Sequence, residues 1–337
     1  MTATDTARLA EILKTNSTLT SLLLGNNDVA DEGTILLAEA LKKNSSLTAL
    51  YLWRNGINDQ GATRLGEALK FNSTLICLFL DANGVTAEGA AGLAKAMKTN
   101  STLAYLSLSN NDIKDRGAAH VAQELKTNST LTSLLLNRNL VTVEGAALLA
   151  EALNTNSTRT KLEFIGNAVQ DEGASHFAHV LKANSTLTRL HLGRTGMTEK
   201  GAAFLADALK TNSSLTTLFL SDNSVEDQGA VHLAEALEIN SSLTFLCLGG
   251  NRLTAKGVAC LSEVLTINST LTTLDLSSMS GKSDITDKGL LKDVQHRLDL
   301  NRASRPPIIV IPAAPSISRP LTVHAGPSRR QTGCICC

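Results

Sequence analysis

Apolar residues recur along this chain on two interleaved periods. In the stretch Asn128–Thr155, Leu134 and Leu136 alternate with Ser133, Leu135 and Asn137. A period of two is that of a β-strand with one buried face. Further on, Ala146, Leu149, Ala150 and Leu153 stand at i, i+3, i+4 and i+7. That spacing places them on one face of a helix, and the small alanines let the helix lie close to the strand. The strand–helix pattern returns every 28 residues, in copies beginning at Asn16, Asn44, Asn72, Asn100, Asn128, Asn156, Asn184, Asn212, Asn240 and Asn268. One copy cannot bury its own apolar face, so the copies must stack into a continuous array.

The pattern divides the chain into three parts. Residues 1–15, in which Ala7–Thr15 matches the second half of a repeat, are expected to form a helical cap. Residues 16–302 hold the ten copies. Residues 303–337 hold all six prolines and are expected to be disordered, because proline removes backbone donors and resists helix and sheet. Copy ten departs from the pattern by inserting four residues within Ser277–Gly289, and its helix, from about Asp287 to Leu298, is polar, as suits a terminal cap.

Each helix has a recognisable start. Where the residue two before the helix glycine is Asp (Asp31, Asp59, Asp115, Asp171, Asp227), the residue before it varies; elsewhere that residue is Thr (Thr86, Thr142, Thr198, Thr254). Each repeat is therefore expected to cap its own helix with its own oxygen. The Asp and Thr forms alternate from copy two onward. Each copy also begins with an Asn-Ser-Thr or Asn-Ser-Ser triplet. That asparagine, just past the helix, is expected to take a left-handed turn rather than to carry a glycan.

These residues carry a family resemblance. The string L-x-x-L-x-L-x-x-N-x-[IV], as in Leu131, Leu134, Leu136, Asn139 and Val141, with a helix in each copy, resembles the leucine-rich repeat. The 28-residue length and the helix string G-A-x-x-L-A-x-A-L resemble the ribonuclease-inhibitor-like subfamily, which includes Nod-like receptor repeats and the activator of the Ran GTPase. The resemblance covers about residues 1–300. It implies an α/β fold: a right-handed αβ solenoid or horseshoe, with a parallel sheet on the concave side and helices on the convex side.

Composition narrows the function. Lys+Arg and Asp+Glu are both 31, and a zero balance gives no support to nucleic-acid binding. The zero hides an asymmetry: the tail from residue 303 carries +4 and the remainder −4. The six cysteines, three scattered (Cys77, Cys247, Cys260) and three crowded at the C-terminus, form no disulfide framework and no metal set, and no cofactor motif is present. With no signal-type segment at the start, the expected compartment is the cytoplasm. The final residues, Cys334, Ile335, Cys336 and Cys337, resemble two prenylation signals. A lipid-tethered, membrane-associated tail and a loose cysteine-rich tail are the two alternatives.

Function is expected where the copies differ. Side chains beside the strand leucines face away from the core. Of the ten aromatic residues, six occupy these positions: Tyr51, Trp53, Phe79, Tyr105, Phe219 and Phe245. Exposed aromatics on a concave sheet are typical partner-binding anchors. Copies six and seven supply a charged patch, Lys161, Glu163, Arg189 and His191. Glu163 and His191 share a slot in neighbouring strands and are read as a cross-strand ion pair, not as a catalytic acid and base. The same copies break the pattern at Arg159, Phe164 and Thr195, which adds weight to a contact there. Copy five, with Ser133, Leu135 and Asn137, is read as a spacer between the two patches.

The resulting expectation is a monomeric, non-enzymatic scaffold that grips a protein partner of unknown identity on its concave face. The alternatives are a GTPase-activating protein resembling the Ran activator and an innate-immune sensing or regulatory repeat protein.

Overall fold

In the computed structural model the described residues are 2–158, 160–277, 279, 287–304 and 321–322. Ten strands of three residues each run through the repeats. They are β1 (Ser21–Leu23), β2 (Ala49–Tyr51), β3 (Cys77–Phe79), β4 (Tyr105–Ser107), β5 (Ser133–Leu135), β6 (Lys161–Glu163), β7 (Arg189–His191), β8 (Thr217–Phe219), β9 (Phe245–Cys247) and β10 (Thr273–Asp275). A helix follows each strand, and all neighbouring strands pair in parallel. Each residue sits opposite the one 28 positions on, as Leu50 opposite Leu78. Packed helices need about 8–10 Å between axes, whereas strands need about 4.8 Å. Stacking the two side by side therefore bends the array with the sheet inside.

The core lies between the two layers. Strand leucines such as Leu134 and Leu136 are buried, as are Leu149 and Leu153 from the helix face. The predicted cap is present as the helix Ala3–Thr15, which turns Ala10 and Leu13 inward. At the other end the helix Lys288–Ala303 begins at Asp287 as expected but runs five residues past Leu298. Those extra residues carry Asn301, whose amide group donates to the carbonyls of Asn268 and Leu271, each at 2.8 Å.

The triplet asparagines do not take the expected left-handed turn. None has a positive φ, and where one is the residue that caps the helix, as Asn156, its backbone is extended (φ −82, ψ 120). Their side chains bind backbone instead. Asn100 donates to the carbonyls of Leu69 (2.7 Å) and Asn72 (3.0 Å) and accepts from the amides of Thr102 (3.0 Å) and Leu103 (2.7 Å). It is buried, like the triplet asparagines of most other copies. A second ladder follows each strand. Asn167 donates to the Leu136 carbonyl (2.8 Å) and accepts from the amides of Asn139 and Val141, both at 3.0 Å. At Thr195 this ladder is broken. The shorter hydroxyl does not reach back to copy six: it donates to the Leu192 carbonyl of its own copy at 2.8 Å and meets Asn223 Oδ1 of the next at 3.3 Å, while the Asn167 main-chain amide turns to the Phe164 carbonyl at 3.3 Å.

Capping follows the expectation at Thr142, Thr198 and Thr254, whose hydroxyls accept from the amides of Glu144, Lys200 and Lys256 in their own helices, but differs at the aspartates, because the aspartate of one repeat caps the helix of the next. Asp115 accepts from the amides of Thr142 (2.7 Å) and Gly145 (3.0 Å) and from the Thr142 hydroxyl (2.7 Å). Asp59, Asp171 and Asp227 do the same for Thr86, Thr198 and Thr254 and the glycines after them. Among the Asp-form copies, the helices that start at Ile113, Val169 and Val225 have no side-chain cap, whereas Asp31 binds the amides of Asn58 and Gly61 at the start of the next Asp-form helix. A Cβ at Gly145 would lie 2.5 Å from the Asp115 carboxylate, so only glycine admits the shared cap. The Asp–Thr alternation is thus a property of repeat pairs, each adding about 1 kcal/mol of capping across an interface.

Of the tail, the described residues beyond the last helix are Ser304 and the two-residue strand β11 (Leu321–Thr322). This strand pairs in parallel with β1, placing Leu321 opposite Leu22. The expectation of a wholly disordered tail fails at that point. No repeat precedes β1, so its outer backbone edge is open to an extended segment.

Candidate functional site

Nine of the ten partner-contact residues read from the sequence sit in the strands of the concave sheet, and Trp53 lies two residues past the end of β2. Every strand from β1 to β10 buries its central leucine and turns its first residue toward that face; the third does likewise, except that Ser107 and Cys247 are themselves buried. Among the aromatics, Trp53 is exposed, at 40 %. The other five are half-buried because they stack on one another. Tyr51 lies on Phe79, with centroids 4.4 Å apart and planes 9° from parallel, and Phe79 meets Tyr105 at 4.8 Å. His191 lies on Phe219 at 4.3 Å, and Phe219 meets Phe245 at 4.7 Å. Parallel strands about 4.8 Å apart set this spacing. The stacks consume ring faces and offer mainly ring edges to a partner.

The charged patch joins the two stacks. Lys161 reaches across β5 to place its Nζ 5.8 Å from the centre of the Tyr105 ring. It also pairs with Glu163 at 2.9 Å. Asn137 of copy five donates to Glu163 at 3.0 Å. Copy five is therefore not a spacer: its asparagine holds the central carboxylate, and its small Ser133 leaves room for Lys161 to pass. From β2 to β9 the face carries one row: Tyr51, Phe79, Tyr105, Lys161, Glu163, His191, Phe219 and Phe245.

Glu163 and His191 do stand opposite each other in register. The expected ion pair between them does not form, since Glu163 takes Lys161 and Asn137 instead. Those hydrogen bonds hold the carboxyl below its usual range against the burial that would raise it. His191 is covered by Phe219, and its Nε2 is buried without a hydrogen-bond partner. Burial pushes its pKa down to about 4; Glu163 opposes this, whereas Lys161 and Arg189 add to it. A neutral ring with a covered nitrogen is poorly placed for proton transfer.

That shift has a measurable consequence. A free histidine titrates near 6.5. Between that value and about 4 the unfolded chain takes up a proton that the folded chain refuses, so stability falls as pH drops through this window. The gap is worth at most ~3 kcal/mol. His191→Phe extends the Phe219 stack and removes the titrating group. The fall in melting temperature between about pH 7 and pH 5 is expected to shrink in the variant; an unchanged fall would show that His191 does not carry it.

The pattern breaks in copies six and seven have a different origin from a partner contact. Phe164 and Thr195 are buried, and Phe164 meets Phe177 edge-on at 5.7 Å. Phe177 stands where other copies have a helix leucine, a paired change that the sequence displays and the repeat reading passed over. Arg159 lies outside the described residues, as do Cys334, Cys336 and Cys337. His120, His176 and His179 are exposed on the convex helices, whereas His232 is half-buried on its helix.

One open cavity of about 510 Å³ lies on the convex side, between the helices Val143–Thr155 and Gln170–Leu181, lined by Glu144, Leu148, Glu151, His176 and His179 among others. No serine, threonine, cysteine or lysine lines it, and no group of three metal-ligating side chains occurs among the described residues. The concave row remains the candidate site. Among the described residues no helix is long and apolar enough to cross a membrane.

Six segments, residues 15–38, 43–66, 99–122, 183–206, 211–234 and 240–262, match the leucine-rich repeat family model. The chain thus carries leucine-rich repeats. No curated protein matches its sequence. Among solved structures it is similar to actin-binding site 2 of leiomodin-1 (21 % identity over 48 % of this chain and 90 % of that one, TM-score 0.43). It is also similar to a tropomodulin C-terminal domain from Caenorhabditis elegans (19 %, 45 % and 93 %, TM-score 0.40) and to an internalin from Listeria monocytogenes (20 %, 85 % and 86 %, TM-score 0.43).

Proposed function

We propose that this leucine-rich repeat chain, of the ribonuclease-inhibitor-like type, is a non-enzymatic scaffold that docks a folded protein on its concave face. The observation that carries the reading is the row from Tyr51 to Phe245. Its side chains stand in slots that the fold leaves free, since the core is already filled by the strand leucines. Folding alone does not require aromatic residues there. Stacking makes the row rigid, which lowers the entropy lost on binding. Trp53 adds a large exposed ring beside it, and such rings are frequent anchors at interfaces.

The test is a double variant, Trp53→Ala with Tyr105→Ala. Capture of the partner from native lysate by the tagged chain is expected to fall at least ~100-fold, on the scale of two anchor residues. Both positions lie outside the leucine core, so the melting temperature should change by only a few degrees. Undiminished capture by the folded variant would sink the proposal.

A further inference from the structure

Trp53 and Asp81 occupy the same slot in successive repeats, and the Arg54 amide donates to the Asp81 carbonyl at 2.9 Å. Their side chains nevertheless lean apart. A Cβ added to Gly25 would fall 1.9 Å from Cε2 of Trp53, 2.3 Å from Nε1 and 2.4 Å from Cζ2. With ring bonds of about 1.4 Å, those distances place that Cβ above Cε2 along the ring normal. The indole therefore lies face down on Gly25, one repeat back, with its other face turned outward. Asp81 leans the opposite way and accepts a hydrogen bond from the Ser107 hydroxyl, one repeat forward. The space between these two side chains, the Trp53–Asp81 notch, lies beside the stacked Tyr51 and Phe79 of the same two repeats.

The notch has the chemistry of a cation site. An outward indole face attracts positive charge through its quadrupole. The Asp81 carboxylate is half-buried, and burial pushes its pKa above the usual range against the hydrogen bonds from Ser107 and Ser109 that lower it. A desolvated carboxylate gains most from a partner that brings positive charge. Charge balance agrees, since the chain before the tail carries a net −4.

We propose that the Trp53–Asp81 notch receives a basic side chain, above all an arginine, presented by the partner polypeptide. A guanidinium plane stacks on the indole while its N–H groups reach the carboxylate, a combination that a lysine ammonium cannot reproduce. The proposal rests on the reading that the concave face docks a protein, and it names the chemistry that this face selects.

Trp53 is the single tryptophan of the chain, so intrinsic fluorescence reports on the notch directly. The full chain is titrated at low ionic strength with the blocked peptide acetyl-Gly-Arg-Arg-Gly-amide, and in parallel with its citrulline counterpart, which keeps the shape and loses the charge. The arginine peptide is expected to give a saturable change in emission, and the citrulline peptide to bind at least tenfold more weakly. Asp81→Asn, which keeps the size and the contact to Ser107, is expected to weaken the arginine peptide at least tenfold. Equal titrations by the two peptides, no saturable response, or an Asp81→Asn chain that titrates like the wild type would each overturn the proposal. The peptide comparison needs no variant and so does not depend on how Asp81→Asn folds. Partner capture separates the two readings. If Asp81→Asn retains capture while Trp53→Ala with Tyr105→Ala loses it, docking stands and the cation site falls. If both variants retain it, docking itself falls.

Discussion

Phe164→Ala is expected to cost about 3–5 kcal/mol, the largest loss from any single side chain on the sheet side of the core. Phe164 is fully buried, and its ring meets the equally buried Phe177 edge-on at 5.7 Å. Truncation removes the transfer free energy of a phenyl ring and leaves a cavity that the flanking repeats cannot close, because each is held in register by its neighbours. The aromatic pair adds a further ~1 kcal/mol beyond area. Denaturant unfolding measures the loss, and a cycle with Phe177 measures the coupling. Phe164→Leu with Phe177→Leu restores the leucines of the other copies and should cost less than the sum of the single changes. Additive single effects would show that the rings fill separate spaces. Copy six is central, so a weakened interface there is also expected to broaden the transition, since array stability is a chain of nearest-neighbour terms.

Asn100→Ala is expected to cost about 3–4 kcal/mol, although it deletes almost no apolar surface. Its side chain makes four hydrogen bonds to main chain, two donated and two accepted, at a buried position. Alanine leaves two carbonyls and two amides without that partner, and each buried unmet group costs about 1–3 kcal/mol before relaxation. Asn100→Asp separates the two halves of the role: it retains the acceptor for Thr102 and Leu103 but loses both donors to the preceding turns. The expected order of stability is wild type, then Asp, then Ala. A loss below ~1 kcal/mol for alanine would mean that water replaces the side chain.

These residues show what could be read along the chain. The periods of two and 3.6 are local, set by how side chains alternate on a strand and recur on a helix, and they suffice to give strands, helices, the repeat boundaries and the leucine core. The concave slots follow from the same alternation, so nine of the ten predicted contact residues fall in the strands of one sheet. Phe164 could be recognised as a core substitution by its leucine slot, and Phe177 could have been by the same rule.

What the tertiary structure decided are contacts one or two repeats apart, where the stacking of repeats, not the local period, selects the partner. Asp115 looks like the cap of its own helix, yet its carboxylate reaches Gly145 because the next helix start lies closer to it. The triplet asparagine looks like a turn residue, yet it ties three stretches of backbone together. Lys161 and Tyr105 belong to different patches in the sequence and to one row in the fold, because a lysine stem spans the strand between them. Trp53 and Asp81 share a slot, but only stacking bends one onto Gly25 and the other toward Ser107. The sequence by itself determined the solenoid and the face that reads a partner; the stacked repeats decided which side chains on that face are already satisfied and which remain open.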